Sequence, residues 1–382
     1  MAEVNGLAFN NSLGAGSSPN TEEPPENSSL SAPRSPPPEL SAVLVADLWL
    51  WRLYPPLLLI LGTFGNCATI ATLRRLRSGW SSISVYLTAL ALTDTSLLYS
   101  GLLTLWLRQS FGVNIFSRHI VACKLFPWLN NSLGTLSAWL VVCLTLQRAA
   151  SVIWPHRVSV ICTRHRSYVV IGVVSVIIGL LYSHMIYGYD LQLVGQGPSR
   201  ICDLRSAEYS QFWGDIWARV DLFIYSIVPS VVIVGGNGAL VWKLAASTRR
   251  ATQKLSAGQS LQNDDRAKKT SSATITVIVV SLTFVCFSVP LTIYVNSVFS
   301  KISDRGETSP FQYLVYNSLM LLYLSNFAVN FYLYCLTGSR FREAFFSMLP
   351  CWANGTTNVK RAATTKGTSI YSVSASEQNH NT

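Results

Sequence analysis

One carboxylate in this 382-residue chain stands where carboxylates are seldom found: Asp94 is the single acid in the apolar stretch 83–107. An ionisable group inside such a stretch normally faces other protein groups and marks a working position. Asn66, Ser137, Asn326 and Asn330, from three other apolar stretches, supply further polar groups. Oxygen donors of this type suit a small hard cation such as Na⁺. A structural hydrogen-bond network without an ion fits the same residues, and both readings stand at this level. Chemistry of other kinds is not legible. No C-x-x-C or H-x-x-x-H spacing is present to hold a transition metal. No paired carboxylates, His–Glu set or nucleophile motif lies in the apolar stretches, so an enzyme is not expected.

The elements that position Asp94 follow from composition. Only 12% of residues are charged, about half the usual share of a soluble domain, while 49% are apolar and mean hydropathy is +0.33. So few charges cannot cover the surface of a water-soluble fold of this size. Seven stretches are long enough to cross a bilayer as helices: 53–73, 83–107, 125–147, 167–189, 222–242, 270–300 and 311–339. Within lipid the backbone must satisfy its own hydrogen bonds, which makes each of them a helix. The expected fold is an all-α membrane protein, a seven-transmembrane helix bundle.

Basic residues set the orientation. With the amino terminus outside, the inner segments 74–82, 148–166, 243–269 and 340–382 hold 19 of the 29 Lys and Arg and only four acids. The reverse orientation would place this excess on the wrong side. The same bases suit the anionic inner lipid surface, so a bilayer and no nucleic acid is the expected partner. Residues 1–48 read as a disordered outer tail, 49–350 as the membrane domain and 351–382 as a disordered inner tail rich in Ser and Thr. Asn10 and Asn27 are glycosylation acceptors in the outer tail, whereas Asn130 falls inside the third span and Asn354 on the inner side. The first 40 residues have no apolar core of a signal peptide, so a later span is expected to direct insertion. No internal repeat is visible, which argues against many transporter designs.

Several short motifs then fall in order. They are Gly65-Asn66 in span one, Leu90-Ala91-Leu92-Thr93-Asp94 in span two, and Cys123, Ser137 and Arg148 in span three with Pro155 following. Pro229 marks span five, Phe284 and Pro290 span six, and Asn330-Phe331-Tyr332-Leu333-Tyr334 span seven. Together they resemble the rhodopsin-like (class A) G-protein-coupled receptors over about residues 50–350. The Phe-Arg-Glu-Ala-Phe run at 341–345 resembles the short amphipathic eighth helix of that family. The run 136–142 and the segment from Asn330 to Gly338 are similar to invertebrate neuropeptide receptors, including thyrotropin-releasing-hormone and FMRFamide receptors. Asn130 stands where amine receptors carry Asp, and Leu324 where opsins carry the retinal-linking Lys, so neither ligand class is expected.

The resemblance implies a plasma-membrane receptor for an extracellular ligand, a neuropeptide by the subfamily likeness, that activates a heterotrimeric G protein. The competing class is a transporter or a non-signalling seven-span protein. The family likeness places a sodium-type site at Asp94, Ser137, Asn326 and Asn330, and coupling and activation at Gln147, Arg148, Pro290, Asn330 and Tyr334. A ligand pocket is expected from Asn130, Asp221, Tyr294, Tyr316, Met320 and Tyr323. Asp221 lies about two turns outward of Pro229 and suits a cationic group of a peptide. A pair with Arg108 or Lys124, or plain solvation, suits it as well. Cys123 and Cys202 both lie outside, where a bridge persists and would tie the outer loop 190–221 to span three; two free thiols are the alternative. Cys351 follows the amphipathic run and is a candidate for palmitate, against a bare thiol. Arrestin and a receptor kinase are expected at the Ser/Thr-rich tail. Four positions depart from the family pattern: Gln147 replaces an acid beside Arg148, Ala149 the following Tyr, Ser288 the Trp two residues before Pro290, and Asn237 a Tyr in span five. Gln147 should weaken the lock on Arg148, which predicts ligand-free signalling that Gln147→Glu lowers.

Overall fold

A computed structural model describes residues 38–76, 81–193, 200–256, 264–299 and 309–349. Among them are seven helices long and apolar enough to cross a membrane: α1 Ser41–Arg75, α2 Ser82–Phe111, α3 Ile120–Ile153, α4 Arg164–Gly188, α5 Ala207–Ala246, α6 Thr274–Ser297 and α7 Pro310–Thr337. A short helix, α8, covers Ser339–Phe346. The lipid side is easily recognised on α4, where Val173, Val176, Ile177 and Leu180 are each more than half exposed. Exposed apolar side chains of that density along a helix that buries few of its own residues require an apolar solvent. This is a multi-pass membrane protein.

Helix starts follow local chemistry. The side chains of Ser81, Thr163 and Ser206 accept the amide hydrogen bond of Ser84, Arg166 and Tyr209 at the entrances of α2, α4 and α5. At α7 the cap is reciprocal: Ser309 Oγ accepts from Gln312 N at 3.3 Å, and Gln312 Oε1 accepts from Ser309 N at 2.8 Å. Inside the bundle α1 packs on α7 and α2, α6 on α7, and α3 runs through the middle against α2, α4, α5 and α6. Gly62 makes the α1 contact possible, since a Cβ there would lie 2.4 Å from Leu98 and 3.0 Å from the Ala328 Cβ. Leu98, Leu102, Ala138, Leu140, Phe284, Leu291 and Phe327 form the centre of the core.

Four boundaries differ from the sequence reading. The first helix begins at Pro38 rather than at 53, so residues 38–48, read as the end of the outer tail, are helical. The connection between α4 and α5, read as a loop, holds a short antiparallel hairpin within the all-α bundle: Tyr189–Leu193 and Arg200–Leu204 pair as β1 and β2, with Leu191 opposite Cys202. The fifth span begins at Ala207, not at 222, because Tyr209, Trp213 and Trp217 bury their rings against α4 and extend the helix outward. At its far end the α5 helix runs on to Ser256 and the next helix starts at Asp264, so most of segment 243–269 is helix rather than loop. Three π turns, at Leu98–Leu102, Trp213–Trp217 and Leu222–Ile227, re-aim the side chains of α2 and α5.

Candidate functional site

With the end of the bundle that carries the Cys123–Cys202 bridge called outer and the opposite end inner, three polar places lie at different depths: a pocket in the outer half, Asp94 in the middle and a cavity at the inner end. In the middle, Asp94 is fully buried. Its Oδ1 accepts from Ser137 Oγ at 2.7 Å and its Oδ2 from Asn330 Nδ2 at 2.8 Å. The carboxylate therefore ties α2 to α3 and α7. Asn326 is buried nearby in sequence but makes no hydrogen bond to Asp94, and Asn66 Nδ2 donates to the Phe327 carbonyl at 3.1 Å instead. Of the four residues expected at a cation site, three stand together. A Na⁺ fits this donor set in one respect: Asp94 Oδ1 and Ser137 Oγ are adjacent oxygens, and the hydroxyl can turn a lone pair toward an ion. Asn330, by contrast, presents its NH₂ and not its oxygen.

The outer pocket, about 540 Å³ counting its open mouth, lies between α2, α3 and α7. Asn130, Met320 and Tyr323 line it, with Leu97, Gly101, Leu105, Phe116, Asn131 and Leu324. The other expected pocket residues stand apart from that lining. Tyr316 is buried in the core, and Tyr294 Oη donates to the Gln312 carbonyl at 3.1 Å, tying α6 to α7. Asp221 accepts a hydrogen bond from the Tyr182 hydroxyl, which also bonds Thr135 Oγ1 at 2.7 Å. Its partner is thus a tyrosine of α4, not Arg108 or Lys124. The sequence reading missed Tyr182 because it lies 39 residues away in an apolar run, with only its hydroxyl to betray it.

At the outer end of α4 and α5, Cys123 and Cys202 are joined, with Cα atoms 5.4 Å apart. The bridge fastens β2 to the first turn of α3. Beside it Tyr182, Met185, Tyr189, Tyr209, Trp213 and Trp217 form a second buried cluster around His184, whose ring centroid lies 4.0 Å from that of Trp217. No motif in the sequence signals this cluster; it depends on the hairpin folding back over α4.

The inner cavity, about 820 Å³ with its mouth, is lined by residues of α1, α2, α3, α6, α7 and α8, including Leu73, Arg148, Val280, Tyr334 and Phe341. Arg148 Nε is buried without a hydrogen-bond partner among the described residues. Gln147 points away from it, donating through Nε2 to Ser82 Oγ, which bonds Ser167 in turn. Asn237 Nδ2 donates to Ser281 Oγ at 2.7 Å, linking α5 to α6. Pro290 lies within α6, and the buried Ser288 Oγ has no partner among the described residues. Asn10, Asn27, Asn354, Cys351 and the Ser/Thr-rich tail lie outside the described residues.

A seven-helix bundle with an outer pocket, a central carboxylate and an inner cavity at the end of the third helix defines a class of membrane receptor. Residues 65–334, well over half of the chain, match the family described as 7 transmembrane receptor (rhodopsin family), and the chain belongs to it. It is similar to the growth hormone secretagogue receptor type 1 of Sus scrofa, 22% identical over 349 residues covering 86% of this chain and 87% of that one. The neurotensin receptor type 1 of Mus musculus is 23% identical, with 82% and 78% covered. The FMRFamide receptor of Drosophila melanogaster is 24% identical, with 78% of this chain and 53% of that receptor covered. Family membership makes the protein a signalling receptor and not an enzyme.

Proposed function

We propose that this receptor sits in the plasma membrane with its amino terminus outside, binds an extracellular peptide in the outer pocket and activates a heterotrimeric G protein from the inner cavity. The observation that carries the reading is the pairing of the two openings. They lie at opposite ends of one bundle, and α3 contributes Asn130 to the outer and Arg148 to the inner. The similar receptors for growth hormone secretagogues, FMRFamide and neurotensin support a peptide as the ligand class.

Arg148 has the role of receiving the G protein: a buried guanidinium with an unpartnered N–H is ready for an acceptor from outside the chain. Asp94 and Ser137 hold Na⁺ in the resting state, with Asn330 bracing the carboxylate through its NH₂, and the ion favours the resting packing over the signalling one. The Ser/Thr-rich tail receives a kinase and arrestin, Cys351 a palmitate, and Asn10 and Asn27 their glycans. The test is a neuropeptide screen in cells expressing the receptor, read by calcium and cyclic AMP. A peptide should raise one of these signals, and Arg148→Ala should abolish the signal while leaving peptide binding intact. Raising Na⁺ should weaken peptide binding, and Asp94→Asn should remove that dependence. A full panel of peptides without response, at verified surface expression, would refute the peptide reading.

A further inference from the structure

The floor of the outer pocket carries a pattern of acceptors without charge. Asn130 Nδ2 donates to the Ser100 carbonyl at 3.2 Å, an atom that can only accept, which fixes the orientation of the carboxamide. Asn130 Oδ1 is then left buried with no partner among the described residues. Its neighbour Asn131 repeats the arrangement, donating Nδ2 to the Pro127 carbonyl at 2.8 Å. Each of these side-chain amides of α3 thus commits one N–H to main chain, and Asn130 keeps its oxygen for something else. The remaining wall is apolar, with Leu97, Leu105, Met320 and Leu324 around Tyr323.

A buried acceptor without a donor is an unstable arrangement that a ligand can relieve. The relieving group must carry N–H. An ammonium would supply it, but among the described residues no carboxylate lines this pocket: Asp221 is bonded to Tyr182, and Asp94 lies deeper with Ser137 and Asn330. Taking a cation from water into such a neutral site leaves its charge unpaired. A carboxylate is worse, since it would set acceptor against acceptor. We propose that the outer pocket takes an uncharged N–H donor borne on an apolar body, a primary carboxamide above all, through Asn130 Oδ1. For a peptide ligand this means that an amidated end, and not a free acid or amine, enters first.

The proposal rests on the outer pocket being the ligand site, so its test avoids the unknown natural ligand. The detergent-purified receptor is heated with phenylacetamide, phenylacetate or phenethylamine at equal concentration. The three share a ring and differ in the polar group. Phenylacetamide should raise the unfolding temperature on the order of 2 °C, the other two should not, and Asn130→Leu should remove the shift. Equal or greater stabilisation by phenethylamine overturns the proposal, as does a shift that survives Asn130→Leu or no shift from any of the three. A neuropeptide screen in matched amide and acid forms separates the two ideas. Acid forms acting as well as amides would sink the carboxamide and keep the peptide receptor; silence of both forms would sink the peptide reading alone.

Discussion

The two ends of the bundle are held by different means. At the outer end the Cys123–Cys202 bridge fastens the hairpin to α3, and a buried set of aromatic rings from α4 and α5 closes over it. Two further bonds cross between helices there: Tyr182 to Asp221, and Trp128 Nε1 to the Gly179 carbonyl at 2.9 Å. The inner end has a cavity, an arginine with an unpartnered Nε, and links made of neutral amides and hydroxyls: Gln147 to Ser82, Asn237 to Ser281, and Thr337 to Thr276 at 2.9 Å. A covalent bridge is worth about 2–5 kcal/mol and a neutral hydrogen bond about 1 kcal/mol net. The outer end is a frame; the inner end is fastened by bonds that a binding partner can exchange.

The contrast predicts that outer changes act on folding and inner changes on signalling. The largest effect should come from Cys123→Ala or Cys202→Ala, which removes about 2–5 kcal/mol. Surface receptor, counted by an amino-terminal epitope, should fall steeply for either change, and the double replacement should add little. Additive losses would mean that the two sulfurs act separately. Gly188→Ala should come next. A Cβ at that position would lie 1.8 Å from the Tyr209 ring, so the rings must shift at about 1–3 kcal/mol. Thermal unfolding of the purified variant measures it, and pairing with Tyr209→Ala should restore part of the loss by clearing the space. No recovery in the double variant would mean the clash is not the cause.

At the inner end Ser281→Ala removes the acceptor of Asn237 and loosens α5 from α6. Loss of about 0.5–1.5 kcal/mol from the resting packing would raise ligand-free output roughly twofold to tenfold at unchanged surface expression. Second-messenger output per surface receptor is the reading. A fall in expression with no rise in output would place this bond with the frame, and the division between the two ends would fail.

Much of this arrangement is legible in the chain because it is local. Each span is a run of apolar residues, and Asp94 stands out by type alone. Its bonds to Ser137 and Asn330 follow once α2, α3 and α7 meet at mid-bundle. Other features depend on contacts that no local pattern encodes. Asp215, Arg219 and Asp221 make the outer part of α5 read as a loop, yet the rings of Tyr209, Trp213 and Trp217 carry the helix through it. Two π turns then shift the register of α5 on either side of Asp221, so its direction cannot be counted from Pro229. The same holds for Asn130 Oδ1, whose lack of a partner shows only when Ser100 is placed opposite its amide.

Gln147 gives the smallest expected effect and the sharpest test of how the inner end is held. From the sequence, an amide in place of an acid should free Arg148, and Gln147→Glu should restore a lock and lower ligand-free output. The geometry changes that expectation. Residues 147 and 148 are consecutive on α3, and consecutive side chains of a helix do not face each other. Gln147 turns toward α2 and α4, with Nε2 on Ser82 Oγ, while Arg148 lines the cavity. A glutamate there would accept from the Ser82 hydroxyl rather than donate to it, since that hydroxyl can reverse its role. The contact survives the change, and the carboxylate stays on the face away from Arg148. Ligand-free output should therefore move by less than about twofold, under roughly 0.4 kcal/mol. Ser82→Ala combined with Gln147→Glu releases the carboxylate from its anchor and allows it to swing toward the guanidinium, so the double variant should signal less than Gln147→Glu alone. If Gln147→Glu by itself cuts output several-fold, the carboxylate reaches Arg148 despite Ser82, and the anchoring of residue 147 on α2 is refuted.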